Sequence, residues 1–114
     1  MFQELTNDAI SLLQNLIAIP SFSKDEKAAA DFLEKYIEEK GYIVSRKDNN
    51  IWLMNPGFDS VRPTILLNSH IDTVKPVSAW VHDPFFATIE NGKLFGLGSN
   101  DAGASVLFLL QAFF

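Results

Sequence analysis

Thr64-Ile65-Leu66-Leu67-Asn68-Ser69-His70-Ile71-Asp72 is the stretch on which the fold turns. Its first four residues form a short continuous apolar run, the pattern of a strand buried on both faces. Polar residues follow at once, so His70 emerges at the carboxyl end of that strand, where open α/β sheets bind their ligands. A histidine with an aspartate two residues on has a physical use. The imidazole can bind a metal through one nitrogen while the carboxylate fixes the ring and raises its basicity. Taken alone, His-x-Asp is more commonly a satisfied surface pair, and the preceding strand shifts that balance only modestly.

Upstream, the pattern is helical. Thr6 or Asn7 is suited to cap a first helix whose Ile10, Leu13, Leu16 and Ile17 fall on one face. That helix stops before Pro20, because proline disfavours helical geometry in the residue before it. Ser23-Lys24-Asp25-Glu26 has the form of a capping box, with Ser23 at the N-cap and Glu26 three residues on. The helix behind it carries Ala28, Ala29, Phe32, Leu33, Tyr36 and Ile37 as a buried stripe, and Gly41 ends it. Residues 42–46 and 51–54 are short strand candidates around the turn-forming Lys47-Asp48-Asn49-Asn50. Pro56-Gly57 makes another turn.

Downstream, residues 86–90 and 93–96 flank Asn91-Gly92, a strong hairpin signal. Residues 102–114 are apolar nearly all round and predict a buried helix. Its final residues, Gln111-Ala112-Phe113-Phe114, hold no C-cap, basic last turn or glycine, the expectation for a chain cut from a longer one. No repeat, low-complexity tract or linker interrupts the chain, which reads as one domain or part of one.

Bulk properties narrow the partners. The 114 residues suffice for one core and not two, and 47% hydrophobic with 20% charged residues is the balance of a soluble globular protein. A net charge of −5 without any Lys/Arg cluster argues against nucleic acid or an anionic membrane as partner. With no cysteine, disulfides and thiolate chemistry are excluded, and a metal site must use His, Asp and Glu. The N-terminus has no basic segment leading into an apolar one, and the longest apolar run is too short to span a bilayer. A cytoplasmic protein is expected.

The second chemical constellation is Gly96-Leu97-Gly98-Ser99-Asn100-Asp101-Ala102-Gly103, between a hairpin and a helix. A dinucleotide fingerprint needs glycine where Asp101 stands, and a carboxylate there would repel a pyrophosphate. The loop also lacks the Lys-Ser/Thr ending of a P-loop. Asp101 is therefore a ligand or a helix cap, and a Gly-rich turn with an Asp cap is the blander account of the loop by itself.

The two constellations belong to one longer pattern. The segment SHIDTVKPVSAWVHDPFFATIENGKLFGLGSNDAGA, residues 69–104, resembles the metal-binding segment of the M20 peptidase family, which includes deacetylases, desuccinylases, aminoacylases and carboxypeptidases. His70, Asp72, Val74, Pro76, Trp80, Pro84-Phe85, Gly92 and the Gly96–Asp101 loop follow the family pattern in order and spacing, and Pro20-Ser21 and Glu26 match its opening segment. The resemblance implies an α/β catalytic domain of zinc-exopeptidase type, a three-layer sandwich with a mixed, centrally parallel sheet and helices on both faces. It implies that His70 binds one of two Zn2+ ions (Co2+ or Mn2+ being possible substitutes), that Asp101 bridges both, and that Asp72 acts from behind His70 as a catalytic residue.

The reaction implied is hydrolysis of an amide bond in an N-acyl amino acid or small peptide, by water held between the metals. The peptide after the bridging Asp is commonly cis in the family. Leu97 and Gly103 replace the usual Arg and Lys, which bears on substrate preference rather than on metal binding. The loop resembles most an acetylornithine-deacetylase-like branch. The resemblance places a paired glutamate, a further carboxylate, a distal histidine and a dimerisation domain beyond residue 114, so the 114 residues are expected to be inactive alone and the longer protein to be a homodimer. His82 reads as a surface residue, Glu34, Glu38 and Glu39 as a solvated helix face, and Trp80 and Phe85 as candidates to line the cleft, with core packing the safer reading for Phe85. A non-catalytic fragment, or less favourably a nucleotide-binding α/β module, are the competing accounts.

Overall fold

The computed structural model describes residues 1–114. The first helix, α1, spans Phe2–Ile17 and so begins earlier than its capping residues suggested. Thr6 caps nothing; its hydroxyl donates back to the Phe2 carbonyl at 2.8 Å, the local bond that helical threonines make. Gln3, Glu4 and Leu5 are good helix formers and carry the helix upstream of Thr6. Leu12, Leu13, Leu16 and Ile17 are its buried residues, and the helix gives out before Pro20.

The second helix, α2, spans Lys27–Glu39. The expected capping box is not formed. Ser23 lies outside the helix and its hydroxyl is drawn to Asp72, while Glu26 accepts the Lys24 backbone N–H. The buried face is Ala29, Ala30, Leu33 and Ile37; Ala28 faces solvent. At the far end Gly41 takes φ +90°, and the N–H groups of Gly41 and Tyr42 reach back to the Glu38 and Ile37 carbonyls. A left-handed glycine closing a helix in this way satisfies carbonyls that would otherwise lack donors.

Two hairpins follow. Strand β1 (Ser45–Lys47) pairs antiparallel with β2 (Asn50–Trp52) around Asp48-Asn49, in the register Ser45 to Trp52. Arg46 ties this hairpin to α2, its Nη1 lying 2.6 Å from carboxylate oxygens of both Asp31 and Glu34. Strand β3 (Thr88–Glu90) pairs antiparallel with β4 (Lys93–Phe95). Asn91 and Gly92 between them have φ +50° and +73°, the left-handed pair that a tight hairpin of this twist demands. The last helix, α3, spans Ala104–Phe113.

The core lies among the three helices. Leu12, Leu13, Leu16 and Ile17 of α1 pack with Ala29 and Leu33 of α2 and with Val106 and Leu107 of α3. The α1–α3 contact anchors the loop that precedes α3. Phe113 and Phe114 are also covered in part, their rings lying 5.6 and 5.0 Å from that of Tyr42.

Two further expectations are corrected. Residues 64–67 do not form a buried strand: no backbone hydrogen bond joins them to another segment, and Ile65 and Leu66 are 86% and 83% exposed. A strand's N–H and C=O groups are satisfied only by neighbouring strands, and here no neighbour lies alongside. Helix α3 is buried only through Val106 and Leu107, and Phe108 is largely exposed, because α1 covers one side of an apolar cylinder. The result is a small mixed α/β structure with two antiparallel two-stranded sheets. The centrally parallel sheet of a three-layer sandwich is not among its pairings; the one parallel contact is an isolated bridge between Phe22 and Thr73. No helix is long and apolar enough to cross a membrane.

Candidate metal centre

Three separate pieces of chain meet at the site. The first is Ser21–Ser23, between α1 and α2, which the isolated bridge docks against the segment after His70. Thr73 N–H donates to the Ser21 carbonyl at 2.7 Å, and Ser23 N–H to the Thr73 carbonyl at 3.1 Å. The second is 70–73 itself. The third is the wide, kinked turn Ser99–Gly103 that leads into α3.

That turn is shaped by glycine. Gly98 has φ +73°, and a Cβ there would lie 2.6 Å from Thr73 Cγ2. Gly103 N–H closes the turn onto the Gly98 carbonyl at 2.8 Å, and a Cβ on Gly103 would lie 2.7 Å from that same oxygen. Between them Asp101 leaves helical geometry (φ −121°, ψ +91°), and the peptide joining it to Ala102 is cis. Ala102 and Gly103 are buried while the Asp101 side chain stands out in solvent. The backbone is therefore fixed from below and the carboxylate presented above.

His70 and Asp101, 31 residues apart in sequence, are in direct contact: Nε2 of the ring is 2.9 Å from Asp101 Oδ1. On its other side the ring's Nδ1 is 3.0 Å from Asp72 Oδ1 and 3.2 Å from the Asp72 carbonyl. The second oxygen of Asp72 accepts the Ser23 hydroxyl at 2.5 Å. A continuous chain thus runs Ser23–Asp72–His70–Asp101.

The electrostatics follow this order. Partial burial works against a charged His70 ring, but the hydrogen bond to Asp101, the Asp72 backbone and the two carboxylate charges outweigh it and raise the pKa above the ordinary value. The Ser23 hydroxyl, opposed by burial and helped by the His70 charge, holds the Asp72 carboxyl below the usual range. Asp72 therefore stays an acceptor toward the Ser23 hydroxyl and the His70 ring.

An open cleft of about 410 Å³ lies beside these groups, walled by Val74, Trp80, Leu97, Ser99 and Asn100. Phe85 is not part of that wall; its ring packs edge-on against Phe22 at 6.0 Å. His82 stacks on Phe95 at 4.3 Å and does not line the cleft. Glu34 is engaged with Arg46 on the far element.

The donor set has the chemistry of a borderline divalent ion such as zinc: one imidazole nitrogen whose partner nitrogen is held by a carboxylate, and one exposed carboxylate. Two ligands of a single ion at bond lengths of about 2.0–2.2 Å sit roughly 3–3.5 Å apart, close to the observed separation of Nε2 and Oδ1. The residues fit as part of such a site. They do not complete one, since no group of three or more His, Cys, Asp or Glu side chains is arranged around a common point. Ser23 is the member that sequence reading missed. Its 49-residue separation from Asp72 leaves no linear signal, and Ser-x-x-Glu imitates a helix cap.

The sequence was compared with those of known proteins. Residues 66–114 match the sequence profile of Peptidase family M20/M25/M40. The chain is 29% identical to the succinyl-diaminopimelate desuccinylase of Blochmanniella floridana, over 95% of this chain and 30% of that protein. It is 31% identical to the enzyme of the same name from Xylella fastidiosa (strain M23), over 88% of this chain and 27% of that one. It is 32% identical to the acetylornithine deacetylase of Buchnera aphidicola subsp. Schizaphis graminum, over 90% of this chain and 30% of the relative. The chain thus spans under a third of the length of these curated relatives.

Proposed function

We propose, for a chain that belongs to peptidase family M20/M25/M40, that it supplies part of the metal centre of a hydrolase cleaving the acyl amide of an N-acyl amino acid. The observation that carries this reading is the His70 ring held between Asp72 and Asp101 beside an open cleft. Both kinds of relative are named for removing an acyl group, succinyl or acetyl, from an amino acid, and a small N-acyl amino acid is the substrate class that follows. Within that class the acetylornithine-like preference is the finer proposal, with N-succinyl-diaminopimelate as its direct competitor.

His70 and Asp101 would hold the metal, zinc being an ion that an imidazole nitrogen and a carboxylate suit. Bound there, divalent metal supplies Lewis acidity toward the amide carbonyl and lowers the pKa of water. The chain's own residues do the rest of what is visible. Asp72 stands against His70 Nδ1, and with the ring proton on that nitrogen the Nε2 lone pair would be free for a metal. Asp101 keeps its second oxygen free, and Trp80 and Val74 give an apolar wall for the substrate's carbon skeleton. Hydrolysis breaks the amide C–N bond and yields a carboxylic acid and an amine.

The proton given up by water needs an acceptor, and the only titratable groups lining the cleft are His70, Asp72 and Asp101, each already engaged. On this reading the base and the remaining ligands would come from a longer protein, with residues 1–114 the first portion of a three-layer catalytic domain and a dimerisation domain after it. The cover of under a third of the relatives' length supports this.

The test pairs zinc calorimetry with an amine-release assay on N-acetylornithine and N-succinyl-diaminopimelate. The 114 residues should bind zinc weakly and turn over neither substrate. The longer protein should be active and chelator-sensitive, with Asp101→Ala abolishing and His70→Ala severely reducing activity. Metal-dependent turnover by residues 1–114 alone would overturn the assignment of the missing groups.

A further inference from the structure

Ser23 is the outermost member of the chain of contacts that ends at Asp101, and no requirement of the fold explains its side chain. It does not cap α2, whose N-cap position is Glu26, and it lies on the surface. Its backbone, by contrast, is pinned. Ser23 N–H donates to the Thr73 carbonyl at 3.1 Å and Thr73 N–H to the Ser21 carbonyl at 2.7 Å, so the hydroxyl is delivered from a rigid strap.

Asp72 depends on that delivery. Its side chain is 39% exposed, and each carboxylate oxygen has one partner: Oδ1 faces His70 Nδ1 and Oδ2 accepts the Ser23 hydroxyl. Remove the second contact and the carboxylate is free to rotate into water. The His70 ring stands between two acceptors, Asp72 on Nδ1 and Asp101 on Nε2. A neutral ring has one N–H to give, so these carboxylates compete for it. Whichever wins decides which nitrogen keeps its lone pair.

We propose that Ser23 is a positioning residue of the metal centre: by fixing Asp72 it places the proton of neutral His70 on Nδ1 and leaves Nε2 free to take a metal. The proton placement concerns residues 1–114 by themselves; its consequence for metal binding rests on the function proposed above.

The experiment is nitrogen NMR of the histidine-labelled 114-residue protein, at a pH well above the histidine range, where the two ring nitrogens report the tautomer directly. His82, stacked on Phe95 outside the cleft, is the internal control. In the parent sequence the Nδ1–H form of His70 should predominate. Ser23→Ala should lower the ratio of Nδ1–H to Nε2–H about fivefold, the equivalent of one ordinary hydrogen bond. Ser23→Thr, which keeps the hydroxyl, should restore it. An unchanged His70 ratio in Ser23→Ala, with His82 also unchanged, would overturn the proposal. Zinc titration of the same proteins separates the two ideas. A roughly tenfold weaker affinity in Ser23→Ala extends the positioning role to the metal. Failure of the parent sequence to bind zinc at all counts against the proposed function, while the tautomer ratio still decides the role of Ser23.

Discussion

Leu12-Leu13 and Leu16-Ile17 in α1, and Ile65-Leu66-Leu67 beyond the first hairpin, are chemically alike and end up in opposite places. The first set is 2–8% exposed; Ile65 and Leu66 are above 80%. The difference is not hydrophobicity. A helix satisfies its own backbone and needs only one apolar neighbour for one face, which α2 and α3 provide. An extended segment must find backbone partners on its edges before burial of its side chains can follow, and residues 64–67 have none. Self-sufficient elements have therefore packed together, while the extended segment stays exposed.

The largest test of this contrast lies in the helical core. Leu33 is 1% exposed, and Leu33→Ala should destabilise by about 2–5 kcal/mol, read as a lower urea midpoint. A loss below half a kcal/mol would mean that the three helices do not form a packed core, and the comparison would break. Next comes the turn that joins core to site. Gly98→Ala places a methyl where Thr73 Cγ2 already stands, in a left-handed conformation, and should cost about 1–3 kcal/mol. It should also broaden the His70 and Asp101 signals, which Leu33→Ala need not do.

A smaller effect concerns the first hairpin, which depends on α2 through Arg46. Bonds from Lys27 and then Arg46 hold the Asp31 carboxyl below its ordinary value of 3.8. A carboxyl with a lowered folded-state pKa contributes stability that is present above the ordinary value and lost as pH falls through the lowered one. Acidification below about pH 4 should therefore loosen the hairpin, and Arg46→Ala should flatten that part of the melting-temperature profile. An unchanged profile in Arg46→Ala would show that the hairpin does not lean on this contact. Smallest of all, Ile65→Ser should alter stability by no more than about 0.5 kcal/mol, and amides 64–67 should exchange with solvent far faster than those of α1. Slow exchange there would show that the segment has found partners, dissolving the contrast.

The same logic governs the site. His70 and Asp101 were legible as residues, because His-x-Asp and the Gly-rich loop are linear patterns with a chemical meaning. Ser23 was legible only as a helix cap, since its spacing to Glu26 suits one and its real partner is 49 residues away. Thr6 misled in a similar way: a hydroxyl at the right place can cap a helix or bond back to the preceding turn, and local spacing does not choose.

By itself, the sequence determined what depends on neighbours along the chain. The apolar stripes of α1 and α2, the left-handed glycine after α2, the Asn91-Gly92 hairpin and the pattern of the M20 segment were all readable, because a helix, a turn or a motif is encoded over a few residues. Tertiary structure alone decided which apolar residues are covered, that Thr64 to Leu67 stay unpaired, and that the Ser23 hydroxyl belongs to Asp72. Those outcomes depend on what arrives from elsewhere in the chain, and a hydrogen bond or a packed methyl acts only when its partner has been brought within a few ångströms.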